Sequence, residues 1–218
     1  MWSRGAYWGM PVRTTIDHRS KDPQRSFWQW FVAHEDELFD FENDQERIFH
    51  ELPKQLARVH PDLVFEFSPK GSVREFVISA GGIRKAFPPV SALVAAAPKL
   101  KRRKITGFRP RRTPINGVKI GLTQVNAEEV EYSLVTNGMK IGIQLFIPGL
   151  RDDVLAFKQI GYLLLDEALG EYDVEIKVGP IQMLPADASR TAERFPLSEL
   201  PADFDQQASK LEAKTLLN

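Results

Sequence analysis

The sequence predicts an α+β fold, with α/β-like stretches: a mixed, largely antiparallel sheet of about six or seven strands with helices packed on it. Three observations predict it. Two pairs of runs alternate apolar and polar residues, a helix-period stretch follows each pair, and another alternating run follows each helix. The order strand, strand, helix, strand therefore occurs twice, over residues 63–109 and 129–178, without convincing residue identity between the copies. These are read as half-units of a single domain at 26–204, between a flexible tail at 1–25 and a tail or short helix at 205–218.

The elements follow in order. Residues 1–25 lack a long apolar core and a small-residue cleavage signal, so no secretory peptide is expected, and no window approaches the length of a membrane span. Trp2, Tyr7 and Trp8 in this tail are aromatic residues able to dock on the body or on a partner. From residue 26 two short helices are expected, joined near 41–44, with Ser26 capping the first and Asn43 or Asp44 the second. Phe27, Trp30, Phe31 and Leu38 form one apolar stripe and Ile48, Phe49, Leu52 and Leu56 another, with a kink or break expected at Pro53. The first half-unit is LVFEF, a turn at SPKGS, VREFVIS, a helix near 89–97 and the strand KITGFR. In the second, VEYSLVT and MKIGIQLFI flank Asn137-Gly138, whose residue types suit a two-residue hairpin turn. A helix follows, with Gly161 kept for close approach to the sheet and Gly170 as its stop. YDVEIKV then reads as the closing strand, with Tyr172, Val174, Ile176 and Val178 inward. Short turns are expected beyond Val178, and a last helix near 206–217.

Composition narrows the chemistry. The chain has 218 residues, 43% hydrophobic and 27% charged, which suits one domain or two closely packed halves. It has no cysteine, which excludes a disulfide scaffold, a thiol nucleophile and any cysteine-ligated metal centre, and makes the cytoplasm the default expectation. The 29 basic and 29 acidic residues balance, so any electrostatic function must be local.

Catalytic motifs are sparse. GxGxxG, GxxxxGK[ST] and GxSxG do not occur. His34 and Glu35 open HEDEL, but the second histidine of a zinc-protease helix is replaced by Leu38. Glu46 and His50 share a helical spacing and read as a surface pair or helix contact, with a metal or acid-base cluster as the alternative; Asp166, Glu167, Glu171, Asp173 and Glu175 form an acidic cluster that reads as a solvated helix end, with carboxylates holding magnesium or dividing acid and base roles as the alternative. No cofactor, metal ligand or catalytic residue is assigned.

The largest electrostatic contrast lies between two runs. Glu35, Asp36, Glu37, Asp40, Glu42, Asp44 and Glu46 occur without an intervening base, whereas Lys99, Lys101, Arg102, Arg103, Lys104, Arg109, Arg111 and Arg112 occur without an intervening acid. Either the acidic helices face the basic strand, within one chain or between copies, or the basic run is exposed to phosphate. Lys101, Arg102, Arg103 and Lys104 are the polyanion-binding candidates of the second account, although Phe108 is the only ring in the run. A further candidate is a shallow polar groove in which Arg109 and Arg111 meet a carboxylate or phosphate ligand, balanced by Asp166 and Glu167.

WQWFVAHEDELFDFE, REFVISAGGIRKAFP, ITGFRPRR and IGYLLLDEALGEYDVEIKVG resemble segments of a bacterial family of uncharacterised proteins. The resemblance runs from Phe27 to Phe204; it implies a shared fold and carries no catalytic assignment. The function expected from these readings is a noncatalytic protein-interaction or regulatory binding module, with a protein partner or self-association. The alternatives are a small carboxylate- or metal-dependent hydrolase using the Asp166 region, and polyanion or nucleic-acid binding through 99–112.

Overall fold

The computed structural model describes residues 3–4, 22–136, 140–151, 153–189 and 193–215. The Asn137-Gly138 turn, Trp2, Tyr7, Trp8 and most of the 1–25 tail lie outside the described residues. Contacts divide the chain into two units, Met1–Arg109 and Pro110–Asn218. The fold is α+β with mixed, largely antiparallel pairing, and among the described residues the strands are shared among three small sheets.

In the first unit, β1 (Ser3–Arg4) is followed by α1 (Pro23–Ala33), α2 (Glu35–Phe39) and α3 (Gln45–Val59). Asp22 rather than Ser26 caps α1: its Oδ1 accepts from the Arg25 N–H at 2.9 Å, and Pro23 takes the first helical position, where no backbone donor is needed. Asp44 occupies the cap position of α3. Pro53 does not break that helix, because fully buried Leu52 and Leu56 hold the turns on either side of it. The hairpin β2 (Val64–Phe67) and β3 (Arg74–Ser79) follows, then α4 (Phe87–Ala95) and β4 (Arg103–Gly107). The sheet order is β1-β2-β3-β4, with only β3 and β4 parallel.

Register decides which side chains share a face. Phe67 lies opposite Phe76, and Arg74 opposite Arg103, so these four project to the same side of the sheet. That side is covered by helices: the Phe76 ring lies 4.9 Å from Phe31 and 5.1 Å from Phe67, and Trp28 Nε1 donates to Leu93 O at 2.8 Å, tying α1 to α4. Aromatic rings supply a large share of this core.

The second unit opens with a ribbon of β5 (Val118–Ile120) and β6 (Thr123–Val125). Its main sheet has the order β10-β7-β8-β9, built from β7 (Glu131–Thr136), β8 (Ile141–Ile147), β9 (Val178–Pro185) and β10 (Phe195–Pro196). Again a hairpin is followed by helix and parallel strand, here through α5 (Leu155–Leu169) and α6 (Glu171–Lys177). The core joins Tyr132, Ile143, Leu145, Leu164 and Leu165 to Phe204 on the closing helix α7 (Leu200–Thr215).

Two expectations change here. Residues 171–177 form a helix, not a strand: Glu171, Val174 and Val178 are the buried positions, a helical spacing, and Asp173 pairs with Lys177 one turn on at 3.1 Å. The strand comes later, over residues read as turns. Gly170, with φ 82°, does end α5. Gly161 does sit against the sheet: a Cβ there would lie 2.5 Å from Met183 Sδ and Cε on β9. Across β8 and β9 the register slips once, so that Gly179 and Pro180 stand against Gly142.

Candidate functional site

In the first unit the acidic and basic runs meet. The 5-residue α2 and the turn Phe41–Asp44 carry the acids over the end of the sheet where β3 and β4 begin. Arg74, whose side chain has no exposed surface, donates from Nε to Ser68 O at 2.9 Å, from Nη1 to Phe39 O and through both terminal nitrogens to Glu42. Its guanidinium carbon also lies 4.1 Å from the Phe41 ring centroid. The Glu42 carboxyl is held below the usual range chiefly by the hydrogen bond from Arg74, against a desolvation effect of opposite sign.

Arg103 is fully buried beside Glu35, with Nε 3.4 Å from Glu35 Oε1. Burial pushes its pKa down to about 10, and Glu35 opposes that shift. Arg102 pairs with Asp36 near the surface and lies 4.2 Å from the Phe39 ring centroid. Lys104 projects to the opposite face and pairs with Glu75 at 2.9 Å. Lys101 is exposed. Three of the four polyanion candidates are therefore ion-paired within the first unit. The acidic rim encloses an open depression of about 280 Å³ with Asp36, Glu37, Asp40, Asp44 and Arg47 around Ile48. Arg47 bridges Glu37 at 2.7 Å and Asp44 at 2.6 Å, and these hydrogen bonds raise its pKa.

The groove candidates are distributed as follows. Arg109, at the end of the first unit, donates from Nε to Glu66 Oε1 at 2.6 Å, both groups being buried. Arg111, in the second unit, chelates Asp205 at 2.8 and 2.9 Å, donates to Asp173 at 3.0 Å and to Leu169 O at 2.8 Å. The Asp205 bond is the main cause of a raised Arg111 pKa, and it holds the Asp205 carboxyl low. Asp166 and Glu167 are buried; Glu167 Oε2 accepts from the Asn116 N–H at 2.8 Å. Among the described residues, no three carboxylate or imidazole groups are placed to share a metal ion.

No protein-family model, curated protein or solved structure matches this chain. Its site is therefore read from its own geometry.

Sequence reasoning missed Glu66 and Arg74, both buried polar positions, and the bonding of the hydroxyl of the buried Tyr132. The Tyr132 hydroxyl donates to Asp203 on α7, and burial, followed by that carboxylate, raises its pKa. For Arg74 a signal was present: in VREFVIS it shares the two-residue period of Phe76 and Ile78, which places a guanidinium on a core face. A buried guanidinium there demands acceptors, and the acidic run is their nearest source.

Proposed function

We propose that this protein is a noncatalytic binding module whose acid-rimmed helical face, in the first unit, receives a basic segment of a partner protein. The observation that supports it is a local imbalance of charge. Among the described residues, seven acids at 35–46 are met by Arg47, Lys70, Arg74, Arg102 and Arg103, which leaves the rim acidic. The basic run, by contrast, has Arg102, Arg103, Lys104 and Arg109 directed at carboxylates of its own unit. Asp36 is 93% exposed at its side chain, and exposed pairs of this kind contribute at most about 1 kcal/mol, so an incoming arginine or lysine exchanges with them at low cost. A cytoplasmic setting and membership of the bacterial family whose motifs the chain resembles belong to the same proposal. Among the described residues no helix is long and apolar enough to cross a membrane.

Fluorescence anisotropy with a labelled arginine- and lysine-rich peptide tests the reading. Binding should weaken steeply with salt, and the combined substitution Asp36→Asn, Asp40→Asn, Asp44→Asn should reduce affinity by about tenfold or more. Equal affinity in the variant removes the rim from consideration. Retention of the wild type on immobilised heparin at about 150 mM salt instead favours polyanion binding through the basic run.

A further inference from the structure

Arg103 presents an incomplete set of contacts deep in the first unit. Its side chain has no exposed surface, yet Nε, Nη1 and Nη2 all lack an aligned hydrogen-bond acceptor, a combination unique among the described residues. The neighbouring carboxylate is incomplete too: Glu35 Oε2 is buried and receives no donor among the described residues, while Oε1 stands 3.4 Å from Nε, close enough for attraction but not aligned for a hydrogen bond. The rings of Phe31, Phe39 and Phe67, with centroids 5.6, 5.2 and 5.1 Å from the guanidinium carbon, favour its charge but offer no lone pair. Arg74, directly across the strand pair, differs in this respect, since Ser68 O, Phe39 O and Glu42 receive its protons.

We propose that Arg103 and Glu35 frame an internal hydration site, in which ordered water accepts from the Arg103 Nη atoms and donates to Glu35 Oε2. Water fits where other ligands do not. The orphaned groups are donors on one residue and an acceptor on the other, and only a molecule with both capacities completes them together. The two side chains carry opposite formal charges, as do Arg74 and Glu42 beside them. A phosphate or carboxylate would therefore add an uncompensated negative charge next to Glu35, and a cation would meet Arg103. This inference is independent of the peptide-binding proposal, because the site is internal and its occupant comes from solvent.

A crystal structure of the wild-type protein at about 1.5 Å decides it, paired with oxygen-17 relaxation dispersion, which counts long-lived internal waters. The expected result is a density peak within about 3 Å of both an Arg103 Nη atom and Glu35 Oε2. The dispersion amplitude should fall by at least one water in Glu35→Leu. Direct donation from both Nη atoms to protein oxygens in the crystal, with no water between, overturns the proposal, as does an unchanged dispersion amplitude in a folded Glu35→Leu. Should that variant fail to fold, the wild-type density is decisive alone.

Discussion

Arg74 illustrates how one inward-facing charge constrains its surroundings. A guanidinium on the aromatic face of a strand is tolerated because two backbone oxygens and one carboxylate receive it. Glu42 is the titratable part of that arrangement. Its carboxyl is depressed in the folded chain, so its contribution is complete above the ordinary value of 4.5 and is lost as pH falls below it. Glu42 is about half exposed, which screens the pair, and Gln retains an acceptor; Glu42→Gln should therefore destabilise by only about 1 kcal/mol at neutral pH. Urea melts at a series of pH values should show the gap to wild type closing as pH drops below 4.5. A gap that stays constant to pH 3 or so would mean that Arg74 does not set the Glu42 titration.

At the scale of elements, the contact between α5 and β9 is the most readily tested. Gly161 faces Met183 at a distance that leaves no room for a branched side chain, but the atoms in the way are the mobile end of a thioether. Gly161→Ala should consequently stay within about 1 kcal/mol of wild type, since improved helix propensity offsets a rotated Met183. Gly161→Val should cost about 2 kcal/mol or more, because a β-branched group cannot be cleared by that rotation. Thermal unfolding of the two variants distinguishes a flexible neighbour from a rigid one, and equal losses would exclude the former. This approach was legible in the sequence, where a helix-poor residue sat on the apolar stripe. The helix at 171–177 was not, because EYDVEIK satisfies both periods: alternate residues are apolar, yet Glu171 and Val174 are also one helical turn apart. Arg111, which binds α6 through Asp173 and α7 through Asp205, selects the helical solution by contacts distant in sequence.

For the molecule as a whole, the order strand, strand, helix, strand was readable in the first half-unit because each piece is local and periodic, whereas in the second only the two paired strands and α5 were, since β9 lies over residues read as turns. The sharing of strands among separate sheets was not. It depends on edge strands drawn from opposite ends of the chain, Ser3–Arg4 in one unit and Phe195–Pro196 in the other, and two-residue strands have no periodicity to read. The opposed charges of 35–46 and 99–112 were visible, but their pairing residue by residue required the β3–β4 register. The position of β9 at the margin of its sheet bears on solubility. An eight-residue marginal strand is a template for stacking with other chains, and Pro185 at its end, whose neighbour Ala186 turns its N–H to Ile147 O on β8, removes a donor from the open side. Pro185→Val should therefore leave the protein folded while promoting fibrillar aggregation, seen as faster growth of light scattering and thioflavin fluorescence in concentrated solution. Pro185 then serves the protein chiefly when it is crowded by copies of itself.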